Sequence, residues 1–119
     1  MVASIGEYSG EVPYTAFNAK KSYIDNNKDL IKRFRDSINK GLDYTLNNDS
    51  DVIAKDIIDL FPDTSLSDLE VIIERYKKAD SWLTDTNINE ELFNNLQDML
   101  IDGDLIKEYV PFNELVVND

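Results

Sequence analysis

From Asn27 onward, apolar residues recur at helical spacing in four successive runs, each opened by a residue able to cap and closed by one that stops a helix. Most of the chain is thereby committed to amphipathic helices packed by one face. In the first run Leu30, Ile31, Phe34, Ile38 and Leu42 share a face, with Asn26 or Asn27 available as N-cap, which predicts a helix near 27–46. Asn47-Asn48-Asp49-Ser50 is a turn cluster. Asp49 or Ser50 can cap a second helix near 50–61, with Ile53, Ile57, Leu60 and Phe61 as its apolar edge and Pro62 as its stop. A third helix is predicted near 67–80, where Ser67 caps, Glu70 reaches back, Leu66 staples against Val71, and Leu69, Ile72, Ile73 and Tyr76 face the core. The fourth, near 89–102, starts at Asn87 or Asn89, turns Leu92, Leu96, Met99 and Leu100 inward, and ends at a left-handed Gly103. Pro111 begins one last short turn through Leu115. Phe34, Phe61, Tyr76 and Phe93 fall at helical spacing and are assigned to the core.

Residues 2–24 read differently. Val2-Ala3-Ser4-Ile5 is a short apolar run, Gly6-Glu7-Tyr8-Ser9-Gly10 supplies turn residues, and Pro13 cannot donate to a ladder. Tyr14-Thr15-Ala16-Phe17-Asn18-Ala19 starts with β-formers and fits a strand, with Tyr23 and Ile24 closing the segment. The fold class is therefore mainly α, with one or two short N-terminal strands. At 119 residues the chain fits one domain that needs no disulfide or structural metal.

There is no cysteine and no histidine, so thiol nucleophiles, Cys/His zinc sites, Ser-His-Asp chemistry and the usual near-neutral proton shuttle are all excluded from this chain. No cofactor, metal or catalytic residue is expected. Two acidic clusters resemble calcium loops, but that starting at Asn47 puts Val52 and Ile58 where glycine and a bidentate glutamate belong, and that starting at Asp85 puts Glu90 and Leu96 there. Asn48-Asp49-Ser50 is a glycosylation sequon of a kind that chance often supplies. A net charge of −12 opposes nucleic acid and anionic membranes as partners. The charge is uneven: residues 20–40 hold seven Lys/Arg against three acids, or +4, while residues 41–119 hold 19 acids and 5 bases, or −14. The basic stripe reads as a solvated helix face or as a docking surface for an anionic partner. No apolar run approaches the ~20 residues that span a bilayer, and the first residues lack a signal-peptide pattern, so the chain as given is expected to be soluble.

One stretch carries more specific information: Gly6-Glu7-Tyr8-Ser9-Gly10-Glu11-Val12-Pro13-Tyr14-Thr15-Ala16-Phe17, followed by Lys20-Lys21-Ser22-Tyr23-Ile24. It resembles the late segment of bacterial ABC solute-binding proteins of the thiamine-pyrimidine-precursor type, which are related to sulfonate, nitrate and taurine binders. The likeness continues through Ile38-Asn39-Lys40-Gly41-Leu42-Asp43-Tyr44, Phe61-Pro62-Asp63-Thr64 and Glu74-Arg75-Tyr76-Lys77-Lys78-Ala79-Asp80-Ser81-Trp82, and it ends at Pro111-Phe112-Asn113-Glu114-Leu115-Val116. The resemblance implies the C-terminal part of a two-lobed α/β type II periplasmic-binding-protein fold. Residues 1–13 would then be the last second-lobe strand and the hinge crossover, and residues 14–119 the C-terminal strand and helices of the first lobe. It also implies an extracytoplasmic, lipoprotein-anchored whole protein that delivers a small solute to an ABC permease, and no enzyme.

In that family the crossover borders the ligand cleft, which makes Glu7, Ser9, Gly10 and Tyr14 the ligand-binding candidates. A carboxylate accepts hydrogen bonds from an amino-substituted heteroaromatic ring, tyrosine stacks or donates, and glycine allows close backbone approach. The competing reading is that Glu7 to Gly10 only turn the chain. Trp82 either lines a cleft or partner surface or covers a helix end. Two further functions stay open, a free-standing helical protein-interaction module and a remnant of a pyrimidine-forming enzyme of the same fold. Taken alone, the chain is expected to bind no solute and to form a homo-oligomer, through exposed helix faces or exchange of its N-terminal segment.

Overall fold

A computed structural model of the protein describes residues 12–13, 15–79 and 81–118. The chain divides into two compact units, one of residues 20–86 and one that contains residues 87–119 together with 1–19.

In the first unit, α1 (Lys21–Asn26) and α2 (Lys28–Asn47) are separated by a break at Asn27. Asn26 and Asn27 turn their side-chain amides back to the carbonyls of Ser22 and Tyr23 instead of capping α2. Two expectations are corrected here. Tyr23 and Ile24 belong to α1, and residues 15–20 form no strand; no strand occurs among the described residues. The β-forming character of Thr15 and Phe17 is not realised, because strand propensity needs a paired neighbour and a covered face. Phe17 is 76% exposed, and Asn18 instead donates to the carbonyl of Ala16. The strand expected at Val2 to Gly6 lies outside the described residues.

The core of this unit lies between α3 (Ser50–Ile57), which runs on as a 3-10 turn through Leu60, and α4 (Leu66–Lys78). Ile53 and Ala54 of α3 meet Leu69 and Ile73 of α4, with Ile57, Ile58 and Trp82 packed around them. Burial of each of the three large aliphatics contributes roughly 1.5–3 kcal/mol. Pro62 follows the 3-10 turn and bars its continuation. α4 starts one position before the expected Ser67, because Ser65 is the residue that caps: its hydroxyl accepts from the amide of Asp68 at 3.1 Å and donates to the Asp68 carboxylate at 2.6 Å. Both serines have an acid three residues on, and the pair that closes is the earlier one. Leu66 and Val71 are exposed and form no inward staple.

The core is smaller than the periodicity suggests. Leu30, Phe34, Phe61, Ile72 and Tyr76, all placed inward above, are exposed, and no residue of α2 is buried. The inward face of α4 is narrow, centred on Leu69 and Ile73, and Ile72 and Tyr76 sit on its flank. α2 is tied to the rest of its unit by side chains: the Tyr44 hydroxyl donates to Asp56, the Lys77 ammonium to the carbonyl of Asn48, and the amide of Thr86 to the Asn39 side chain at 2.9 Å.

In the second unit α5 (Glu90–Asp102) is capped by Asn89, whose side chain accepts from the amide of Leu92 at 3.1 Å. Its far end departs from expectation. Gly103 has an ordinary φ of −85° and the left-handed residue is Asp104, at φ 56°. The amides of Asp104 and Leu105 bond back to Ile101 and Leu100, satisfying the terminal carbonyls. Aspartate is one of the few residues with a side chain that tolerates this region.

The chain then returns antiparallel along α5. The Tyr109 hydroxyl donates to Asp98. Gln97, only 4% exposed, gives both ends of its amide to Val110, accepting from the amide at 2.7 Å and donating to the carbonyl at 3.2 Å. Phe93 and Phe112 meet edge to face at 5.4 Å, with Phe112 opening α6 (Phe112–Leu115). Asn118 repeats the Gln97 arrangement on Ile88, with bonds of 2.8 and 3.0 Å. No helix among the described residues is long and apolar enough to cross a membrane.

Candidate functional site

The chemistry that the structure brings together lies along the outer side of the α3–α4 pair. Residues 50 and 51 open α3, and the third and fourth turns of α4 pass beside them. The Ser50 hydroxyl donates to Glu74 at 2.9 Å, and Lys78 pairs with the same carboxylate at 3.3 Å. These contacts, the serine first and the lysine second, hold the Glu74 carboxyl below its ordinary value. Asp51 pairs with Lys55 one turn later at 2.9 Å, which lowers the Asp51 carboxyl and raises the Lys55 ammonium, in each case through the hydrogen bond first and the opposite charge second.

Between these groups runs an open groove of about 540 Å³, lined by Ser50, Asp51, Glu70, Val71, Glu74, Arg75 and Lys78. A second, of about 430 Å³, lies at the α1–α2 break and is lined by residues 25–30 and Arg33. Both are shallow and mix charges of both signs. Such surfaces offer hydrogen bonds to a partner but no enclosed, desolvated pocket for a small molecule. Among the described residues no three His, Cys, Asp or Glu side chains are placed to hold a metal ion.

The four residues singled out from sequence, Glu7, Ser9, Gly10 and Tyr14, lie outside the described residues, and so does Asp80. Trp82 is half-buried, stacks on Tyr76 at 5.6 Å between centroids, and packs against the α3–α4 core, in the manner of a side chain covering a helix end. The acidic cluster at residues 47–51 is taken up by helix ends: Asn47 bonds Asp43, Asp49 sits at the N-cap position of α3, and Asp51 pairs with Lys55. Sequence reasoning missed the Ser50–Glu74 and Gln97–Val110 contacts. The first joins residues 24 apart and the second 13 apart, and neither spacing marks a contact before the helices are packed.

No protein-family model matches the chain, and no solved structure matches it. Over 116 residues, 98% of its length, the chain is 40% identical to a protein of Bacillus subtilis (strain 168) that bears the name "Putative binding protein YtlA". The chain spans 35% of that relative.

Proposed function

We propose that the chain is the C-terminal portion of an extracytoplasmic solute-binding protein that captures a small solute and delivers it to the permease of an ABC importer. The observation that carries this reading is the 40% identity maintained through nearly the whole chain with a relative whose name says that it binds. The family-like blocks from Gly6 to Phe17 and from Glu74 to Trp82 add the importer and the thiamine-pyrimidine class of solute. On this reading residues 1–13 cross the hinge from the second lobe, residues 14–119 complete the first, and a lipid anchor holds the whole protein to the membrane. Glu7, Ser9, Gly10 and Tyr14 border the cleft and contact a heteroaromatic ring. Ligand groups from both lobes favour the closed form, and release to the permease follows reopening. The protein binds and makes or breaks no bond, so it is no enzyme.

The apolar flank of α4 supports the same reading. Ile72 and Tyr76 are 41% and 52% exposed, as on a helix built to be covered by further polypeptide. Left uncovered, that flank makes the isolated chain self-associate.

The test is a chimera in which this chain replaces the matching 116 residues of the Bacillus relative. Calorimetric titration with thiamine pyrimidines, taurine and alkyl sulfonates is expected to give saturable heat with a thiamine pyrimidine for the chimera and none for the chain alone. A folded chimera that binds none of the three classes, or an isolated chain that binds one with micromolar affinity, overturns the reading.

A further inference from the structure

Beyond the backbone bonds of Leu105 and Ile106 to Leu100 at the turn, the segment 105–118 is held to α5 and the residues just before it by side chains, through four rungs that pair Tyr109 with Asp98, Val110 with Gln97, Phe112 with Phe93 and Asn118 with Ile88. Each rung joins residues that a second copy of the chain also carries, so the same ladder forms equally well between two molecules. The turn is what distinguishes the two arrangements. It consists of Gly103 and Asp104, and it places Asp104 in the left-handed region, which aspartate tolerates better than most residues but still adopts at a cost that glycine does not meet. A short hinge under conformational strain favours the form in which it straightens.

Gln97 decides what can happen to a released segment. Its amide is buried, and if Val110 leaves without a replacement, both the Gln97 carbonyl and its NH₂ lose their backbone partners. An open monomer is therefore disfavoured, whereas an identical segment from a neighbour restores both bonds. We infer that the chain forms an exchanged dimer in which residues 105–118 of each copy lie along α5 of the other, with Gly103–Asp104 as the hinge. The inference does not depend on the solute-binding reading, since every group it uses lies between residues 88 and 118.

The chain has no cysteine, so introduced thiols report without interference. Asp98→Cys and Tyr109→Cys are made in separate copies, unfolded, mixed, refolded together and treated with a short bis-maleimide linker. Both positions are exposed, and each variant keeps the Gln97–Val110 rung. The expected product is a covalent species of twice 13.7 kDa that joins one variant to the other. Light scattering of the unmodified chain should give the same doubled mass, and Asp104→Gly, which removes the left-handed penalty from the closed turn, should lower the dimer fraction several-fold. A strictly monomeric chain, or a dimer in which the two single variants never cross-link, overturns the exchange. A dimer fraction unmoved by Asp104→Gly overturns the hinge.

Discussion

Ser65 and Ser67 are two residues apart, each is followed by an acid at the third position, and only Ser65 caps α4. Its hydroxyl satisfies the amide of Asp68, one of the donors that a helix start leaves without an internal partner. Ser65→Ala should therefore cost about 1 kcal/mol in chemical denaturation, whereas Ser67→Ala should change stability by less than about 0.5 kcal/mol. Equal effects at the two positions would show that the cap is shared. The capping chemistry itself was legible in the sequence, but its register was not, because the hydrophobic positions Leu69 and Ile73 keep their face under either start. The candidate ligand residues rest on different ground. Glu7, Ser9, Gly10 and Tyr14 were proposed from a family likeness, and side-chain types alone do not separate a ligand contact from a turn. Gln97 shows the opposite case: an unremarkable residue in the sequence whose role, holding both backbone groups of Val110, exists only once the chain has turned at Asp104.

At the scale of elements, the four predicted helices match α2, α3 with its 3-10 extension, α4 and α5 to within a few residues, because periodicity and stop residues act locally. How deeply each helix is buried was not legible, since that depends on what covers it. α2 has the clearest amphipathic pattern, yet it buries no residue completely. Gly41 sits inside this helix, and a methyl group added there would meet nothing within 4 Å. Glycine weakens a helix interior through the backbone freedom it surrenders on folding, so Gly41→Ala should raise stability by about 0.5–1 kcal/mol, read as a higher midpoint at unchanged slope in urea. A destabilised variant would mean that the open space over Gly41 is occupied in solution. The strand expected over residues 14–19 does not form at residues 15–19 for a related reason: strand propensity is realised only beside another strand, and no strand occurs among the described residues.

For the whole molecule, the absence of histidine removes the side chain that titrates near neutrality, and among the described residues the perturbed groups lie at the two extremes. Glu74 and Asp51 are held below their ordinary values of 4.5 and 3.8 in the folded chain, so their contribution is complete above those values and is lost as pH falls through the lower folded ones. Tyr44, which donates to Asp56, and Tyr109, which donates to Asp98, are both raised above 10.0. Their contribution is complete below that value and is lost as pH rises through the higher folded ones. The melting temperature should therefore be nearly flat between about pH 5 and pH 9 and fall on both sides. A marked slope across pH 6–8 would contradict the assignment. The placement of the α3–α4 core has a kinetic consequence as well. Ile53 and Ala54 find Leu69 and Ile73 only 15 to 20 positions along the chain, so closing the loop between them surrenders little entropy, and this pair can nucleate without contacts from distant stretches of the polypeptide. During synthesis the pair can thus assemble soon after residue 78 leaves the ribosome, as a short-range helical hairpin that is complete before the second unit has emerged.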